Sequence, residues 1–310
     1  MVRYFANKFF YLLVSLFILI TATFFLMKAI PGNPFLSEKA VSPEIREKLF
    51  HQYGLDKPVF VQYIDYLGKV IRGDLGISMK IINQDVTDRI LQTFSASLRL
   101  GLVAIVASVI IGVLLGMLAA LYHRKLIDNI AMVLAVLGIA VPSFVIAALL
   151  QFFLAFKLHL FNVAGLQSPL DFVLPVAALS AQPIAFIARL TRSSMLEVLN
   201  ADYIKTAKAK GLNWVTIMFR HVIRNGILPV VTYLGTMTAN IVTGSVVIEQ
   251  VFGIGGIGKQ FVQSIGDRDY PMIMGITIFY GALLMFTRFI TDLLYPFIDP
   301  RIKLVKGKEG

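Results

Sequence analysis

The 310-residue sequence contains no cysteine, which excludes disulfide bonds, zinc sites with cysteine ligands and catalysis by a thiol. Charged residues are also scarce. They make up 15% of the chain, whereas about a quarter of the residues in a soluble domain are charged. Hydrophobic residues make up 57%, and several apolar runs are long enough for a helix that crosses a bilayer. The composition therefore predicts an integral membrane protein.

Acidic residues are the rarer of the charged types, with 18 Asp and Glu against 29 Lys and Arg, so the formal net charge is +11. A strongly basic protein can be a nucleic-acid binder. In so apolar a chain the excess is better explained by basic loops that stay on the cytoplasmic side of a membrane. We expect no nucleic-acid partner.

The sequence also lacks a recognisable catalytic set. Its four histidines are His51, His123, His159 and His221, which fall in different loops or at their edges, without the spacing of metal ligands. No Ser/His/Asp arrangement can be argued either. We expect no enzyme activity, no metal and no cofactor in this chain.

Six apolar spans predict an all-α polytopic membrane protein. The first resembles a signal peptide, but it is too long and lacks a cleavage site, so we expect it to be retained. The fourth is short and contains Pro175 and Pro183, which places it inside the helical bundle as a kinked helix. The spans are Phe9–Ile30, Leu98–Tyr122, Ile130–Phe156, Phe172–Ala188, Gly226–Ile248 and Met272–Tyr295.

The loop charges predict the orientation. Lys and Arg are concentrated near the N-terminus, around Arg124 and Lys125, in the stretch 189–225 and in the tail. Both termini are therefore expected in the cytoplasm. The predicted parts are an N-terminal tail with the first span (1–30), an extracellular segment with helices from Ser42 and over Val59–Arg72 (31–94), a transmembrane domain (95–296) and a cytoplasmic tail (297–310).

A cationic stretch, TAKAKGLNWVTIMFRHVIRNGILPVV, interrupts the apolar sequence from Thr206 onward. It predicts a helix over Val198–Lys210 that ends at Gly211, then a second helix capped by Asn213 that ends at Asn225–Gly226. On a helical wheel one face carries Leu199, Tyr203, Ile204, Ala207 and Gly211. Periodicity alone leaves two interpretations open: an interfacial helix with lysines on anionic lipid, and a docking helix for a cytoplasmic partner.

This stretch resembles the EAA loop of the membrane permeases of ABC importers. Ala207 matches the second Ala of the pattern, Gly211 its Gly, and Leu228-Pro229 its close, while Lys205 replaces the Glu and Thr206 the first Ala. The variant is similar to that of the dipeptide, oligopeptide and nickel branch. KAIPGNPF, IARLTRSSMLEVL, EQVFGIGGIGK, RDYPMIMG and DPRIK agree with the same branch, so the resemblance covers nearly the whole chain.

The resemblance implies a type I permease domain over 95–296 in a bacterial cytoplasmic membrane. It also implies that the loop 189–225 docks on an ATPase, with contacts from Asp202, Tyr203, Thr206, Ala207, Lys208, Lys210 and Gly211. The implied partners are a second homologous permease, two ATPase subunits that carry ATP and Mg, an extracellular substrate-binding protein and a peptide.

The stretch GIGGIGK, Gly253–Lys259, satisfies the start of a phosphate-binding loop. Such a loop needs a preceding strand and a following Ser or Thr, but here Gln260 follows. The resemblance implies instead an outer loop that faces a binding protein. Its candidate contacts are Phe252, Gly253, Gly255, Gly256 and Gly258.

Polar groups in or near membrane spans are costly and often functional. Glu249, Gln151 and Gln182 are therefore candidates for the translocation path or a gate. Nickel, glutathione or another small solute remain alternative substrates within the branch. A stand-alone secondary transporter or channel would show repeats or paired broken helices, and a membrane-embedded enzyme would need the missing catalytic set.

Overall fold

A computed structural model describes residues 2–29, 50–51 and 53–298. These residues contain helices and no strand, apart from an isolated antiparallel bridge between Ile77 and Asp85. The predicted helix from Ser42 and the end of the tail lie outside the described residues. The α-helices are α1 (Val2–Ala29), α2 (Val59–Ile71), α3 (Val86–Leu121), α4 (Leu126–Ala140), α5 (Ser143–Leu150), α6 (Val173–Asn200), α7 (Asp202–Ala209), α8 (Trp214–Thr216), α9 (Arg224–Gly226), α10 (Leu228–Gly244), α11 (Val246–Val251), α12 (Ile257–Asp267) and α13 (Tyr270–Ile298).

Four of these helical stretches are long and apolar enough to cross a membrane: Ala6–Ala29, Val86–Leu121, Pro169–Asn200 and Tyr270–Leu293. The all-α membrane fold is therefore confirmed. A fifth stretch combines α4 with Ser143–Lys157, which ends in a π-helical segment. The predicted fifth span is shorter than expected, because α10 has 17 residues and ends before Ser245. The count of six spans stays a prediction.

The predicted third span, Ile130–Phe156, is not one straight helix. Its two halves are bent by 105° between Ala140 and Ser143. Pro142 explains the break, since proline has no amide hydrogen and disfavours helical geometry in the residue before it. Val141 is accordingly extended, with φ −88° and ψ 122°.

The fourth helix extends further along the chain than the sequence predicts. It was expected to end at Ala188, but α6 continues to Asn200 with Pro183 inside it. Its burial confirms the expected interior position: 56% of its most apolar window is buried, against 11–28% for the other three long stretches. Polar Ser and Thr residues within α6 are consistent with packing on protein rather than lipid.

The chain forms two compact units. The first comprises residues 1–96 and 255–285. In it, Asp269 precedes α13 and accepts hydrogen bonds from the Ser78 hydroxyl and from the Met79 amide, the latter at 3.1 Å. Arg89 Nε donates to Gln260 Oε1 at 3.1 Å. These bonds fasten the segment before α3 to the starts of α12 and α13.

The second unit comprises residues 97–254 and 286–310. Its helices approach closely where glycine replaces a side chain. A Cβ on Gly116 of α3 would lie 2.5 Å from the Ala188 carbonyl oxygen and 2.6 Å from Thr191 Cβ, both in α6. A Cβ on Gly138 of α4 would lie 3.0 Å from the Ala181 oxygen. Gly112, one turn earlier in α3, makes the same kind of approach, since its Cβ would lie 2.8 Å from Ile187 Cβ of α6.

We expect Gly116→Ala to destabilise the protein by about 1–3 kcal/mol, because the added methyl meets α6 backbone that cannot move aside. Gly68→Ala in α2 is the matched control, since its Cβ would meet nothing within 4 Å. That change should be neutral or stabilising by up to about 1 kcal/mol from helix propensity. Thermal unfolding in detergent measures both variants. Equal upward shifts of the two midpoints would contradict the close contact of α3 and α6.

Candidate functional site

The cationic stretch folds as a separate short helix. The predicted continuous helix over Val198–Lys210 is wrong, because α6 ends at Asn200 and Ala201 is extended, with ψ 147°. The eight-residue helix α7 then begins at Asp202. An aspartate in the first turn is favourable there, since it faces the positive end of the helix dipole. One extended residue thus allows α7 to take its own direction.

The apolar side of α7 packs against its own chain. Ile204 is 0% exposed and Ala207 is 6% exposed. They belong to a buried cluster that also contains Ala120, Met195, Ile217, Met218 and Val222. The wheel face predicted to carry Ala207 together with Tyr203 and Gly211 is wrong, because Tyr203 is exposed and Gly211 lies beyond the end of the helix. Ala207 therefore anchors α7 instead of lying on its free side.

The free side of α7 carries polar residues, namely Asp202, Lys205, Thr206 and Lys208, together with Lys210 at the C-terminal cap. Lys205 Nζ lies 2.8 Å from Asp202 Oδ1. A pair so exposed contributes little to stability. Lys208 Nζ lies 5.5 Å from the centre of the Trp214 ring. Lys205 and Lys208 therefore make only weak interactions within the chain.

Gly211 ends the helix in the left-handed conformation, with φ +78°. Its amide donates to the Lys208 oxygen at 3.0 Å, and the Leu212 amide donates to the Ala207 oxygen at 3.2 Å. Glycine adopts this conformation without the strain that a Cβ would add. A Cβ here would meet nothing within 4 Å, so the requirement for glycine within this chain is conformational.

Asn213 caps the next helical stretch, as predicted. Its side-chain oxygen accepts a hydrogen bond from the Thr216 amide at 2.8 Å. The stretch runs from α8 through a π-helical segment, Ile217–Ile223, to α9. The predicted end at Asn225–Gly226 is also correct.

Exposed apolar side chains lie directly after α7, and the sequence analysis did not single them out. Leu212, Trp214 and Val215 are all exposed. Their signal in the sequence is a set of large apolar residues directly after the glycine. We call the exposed set Tyr203, Thr206, Lys208, Lys210, Gly211, Leu212, Trp214 and Val215 the α7 surface.

A buried ion pair joins α4 to α6. Asp128 is 2% exposed, and its carboxylate accepts from Arg192 Nε at 2.5 Å and from Arg192 Nη2 at 2.8 Å. The Arg124 amide donates to it at 2.9 Å, and His123 Nδ1 lies 3.2 Å away. The sequence predicts Arg124 and His123 as loop residues and gives no sign of this cluster, because Asp128 and Arg192 are 64 positions apart.

Two of the three candidate path residues are hydrogen-bonded within the chain. Glu249 is fully buried, and its carboxylate accepts from the Ser245 hydroxyl. Gln151 Nε2 donates to the Val163 oxygen at 2.8 Å and to the Val251 oxygen at 2.9 Å. Gln182 is exposed on α6. Their assignment to a path or gate stays a prediction.

The glycine-rich loop follows a helix, α11, and leads into the helix α12. This context contradicts a phosphate-binding loop, which needs a preceding strand. Gly253 has φ +61°. Phe252, Gly256 and Gly258 are buried, and Gly255 is exposed. Contact with a binding protein stays a prediction, and Gly255 is the best placed of the five residues to make it.

Comparison with protein families gives two adjacent matches. Residues 1–101 match the N-terminal membrane component of binding-protein-dependent transport systems. Residues 112–304 match the inner membrane component of binding-protein-dependent transport systems. The chain belongs to this family. Its members are permease subunits, and the resemblance noted from the EAA-like loop is confirmed.

Individual relatives match over nearly the whole chain. The dipeptide transport system permease protein DppB of Bacillus subtilis (strain 168) is 48% identical over 306 residues, which is 99% of each chain. The oligopeptide transport system permease protein OppB of Escherichia coli (strain K12) is 42% identical over 291 residues, covering 93% of this chain and 95% of that one.

Solved structures support the fold. An amino acid ABC transporter crystallised with histidines matches with a TM-score of 0.55 at 18% identity, over 67% of this chain and 93% of that one. An inward-facing MetNI methionine ABC transporter matches with a TM-score of 0.55 at 17% identity, over 68% and 96%. At this identity the likeness concerns the fold alone.

Proposed function

We propose that this chain is a transmembrane subunit of an ATP-driven importer of di- or oligopeptides. It forms half of the translocation path together with a second, homologous permease. Two cytoplasmic ATPase subunits supply ATP hydrolysis with their own Mg, and an extracellular binding protein delivers the peptide. The substrate class is supported by the names of the relatives, which are dipeptide and oligopeptide permeases at 42–48% identity.

The α7 surface is proposed to dock on an ATPase subunit. The observation that carries this proposal is the direction in which α7 buries its apolar side. An interfacial helix turns its apolar side toward lipid, whereas Ile204 and Ala207 are buried within this chain. The side left free for a partner is polar, and it is bordered by the exposed Leu212 and Trp214. This arrangement favours a protein partner over a lipid anchor.

Movement of the ATPase would reach the membrane helices through the buried cluster. Ile204 and Ala207 pack with Ala120 near the end of α3 and with Met195 in α6. Because protein interiors are close-packed, α7 cannot shift without displacing these neighbours. Arg192, one turn before Met195 in α6, is bound to Asp128 in α4. A push on α7 would thus be shared by three helices, and the path would open alternately to the two sides.

Reconstitution tests the substrate class. Proteoliposomes that contain the two permease subunits, the two ATPase subunits and the binding protein, with ATP supplied to the ATPases, should accumulate a labelled dipeptide. ATP hydrolysis should rise when the peptide-loaded binding protein is added. Accumulation of nickel or glutathione without dipeptide would refute the peptide substrate. Uptake by this chain alone, without ATP, would refute the importer and favour a secondary transporter.

We expect position 208 in the cytoplasm and position 57 outside, as the loop charges predict. The chain has no cysteine, so Lys208→Cys and Lys57→Cys provide single reactive thiols at two exposed sites. In intact cells a membrane-impermeant maleimide should label position 57 alone, and position 208 should react after permeabilisation. The reverse pattern would invert the proposed topology.

A further inference from the structure

The helix α2 packs alongside the end of α1, not beyond it. The Tyr63 hydroxyl lies 2.7 Å from Thr21 Oγ1, and Lys28 Nζ donates to Gln62 Oε1. The Tyr63 ring lies 5.4 Å from the Phe24 ring. Thr21 comes eight residues before Ala29, where the apolar stretch Ala6–Ala29 ends, which is about 12 Å along a helix axis. At least part of α2 therefore lies at the depth of the last turns of a membrane helix.

Contacts with a second membrane helix place α2 at the same depth. Tyr63 shares a buried cluster with Tyr270, Ile273 and Met274, which are among the first residues of the apolar stretch Tyr270–Leu293. Tyr66 packs at the edge of this cluster. Tyrosines concentrate at the boundary between headgroups and acyl chains, where an apolar ring and a polar hydroxyl are both accommodated. Contacts with the ends of two membrane helices thus place α2 at this boundary.

The side of α2 next to the buried one exposes a stripe of apolar side chains. Phe60 is 68% exposed, Ile64 is 50% exposed and Ile71 is 83% exposed. At about 100° per residue these three positions fall within about 40° of one another on the helix. Asp65 and Lys69 are also exposed, about 100–180° around the helix from the stripe. The helix therefore has a buried side, an exposed apolar stripe and an exposed polar side.

Exposed apolar residues of α1 lie next to α2. Phe25 and Leu26 of α1 are exposed, as expected of a membrane helix at its lipid-facing side. The Phe25 ring lies 5.2 Å from the Tyr63 ring, so the apolar surface of α1 continues onto α2. Basic residues accompany the helix, with Lys57 just before it, Lys69 within it and Arg72 at its end. Lys57 Nζ lies 2.7 Å from Asp65 Oδ2, so part of this positive charge is balanced within the segment.

We propose that α2 is an interfacial helix that binds the lipid leaflet in which α1 ends, with Phe60, Ile64 and Ile71 in the acyl region. The segment 31–94, expected from its charges to be a water-exposed cap, then includes a membrane-bound element. This proposal is independent of the transported substrate and of the partner at the α7 surface. It also holds whichever side of the membrane the helix faces.

Spin labelling of the assembled transporter in lipid nanodiscs tests the proposal. Single cysteines replace Phe60, Ile64 and Ile71, and Lys69→Cys is the matched control on the polar side of the same helix. All four side chains are exposed, so the changes spare the core. Each label is exposed to oxygen, which partitions into acyl chains, and to a water-soluble nickel chelate.

We expect the oxygen-to-nickel collision ratio to be several-fold higher at positions 60, 64 and 71 than at position 69. If the nickel chelate reached all four positions as readily as it reaches a free loop, water would cover the stripe. That result would overturn the proposal. Low access to both reagents at 60, 64 and 71 would mean that a protein subunit covers it, which overturns the proposal equally. Three separate positions keep the result decisive if one variant fails to assemble.

Discussion

Arg192→Ala should destabilise the chain by about 3–5 kcal/mol, because it leaves the Asp128 carboxylate buried without its counter-charge. Asp128 is 2% exposed and receives two of its hydrogen bonds from Arg192. Proteins are stable by about 5–15 kcal/mol in total, so the loss is a large fraction of that margin. The measurement is the thermal midpoint, and the yield of monodisperse protein, in detergent.

Two controls separate the ion pair from a general effect of lost charge. Arg189→Ala removes an exposed arginine from the same helix and should leave the midpoint nearly unchanged. The double variant Asp128→Asn/Arg192→Leu removes both charges and should recover much of the loss, since a neutral pair needs no counter-charge. If Arg192→Ala were as stable as Arg189→Ala, the pair would not be structural.

Gly211→Asp should reduce ATPase binding tenfold or more. Added bulk in a packed contact typically costs about 1–3 kcal/mol, and about 1.4 kcal/mol corresponds to a factor of ten. Aspartate tolerates the φ of +78° better than most residues that have a Cβ. The new carboxylate also adds bulk and charge to the α7 surface. Co-purification of the ATPase subunits and substrate-stimulated ATP hydrolysis measure the effect.

Gly73→Asp is the matched control for strain. Gly73 has φ +79°, is exposed, and a Cβ there would meet nothing within 4 Å, as at Gly211. It lies outside the α7 surface, so its variant should be strained but should retain the ATPase. Lys205→Ala/Lys208→Ala tests the lipid-anchor interpretation, under which the lysines matter most. Retained ATPase binding in Gly211→Asp would refute docking through α7.

The long apolar helices and the cap at Asn213 were predictable because each is encoded locally. The length of an apolar run predicts a membrane helix. The cap depends on the Asn213 side chain and the Thr216 amide, which are only three residues apart. The break at Ala201 was not predictable, since alanine has the highest helix propensity. Packing of Ile204 and Ala207 into the buried cluster takes precedence over that local preference.

The sequence identifies the segment around α7 as a candidate, but the orientation of α7 could not be predicted from the sequence. The sequence located the segment around α7, yet which side is free depends on Ala120, Met195 and other residues distant along the chain. The Asp128–Arg192 pair gives no local pattern for the same reason. The charges of segment 31–94 indicated contact with water, whereas the contact of Tyr63 with Thr21 brings α2 to the membrane boundary.

The 105° bend between α4 and α5 limits what can surround it. A helix end leaves its last carbonyl oxygens without partners inside the helix. In hydrocarbon each such oxygen would cost several kcal/mol, so irregular backbone is tolerated at membrane depth only against protein or water. The stretch around Val141 and Pro142 must therefore be shielded from acyl chains. The bend therefore requires neighbouring protein or water at this position, which a straight membrane helix would not need.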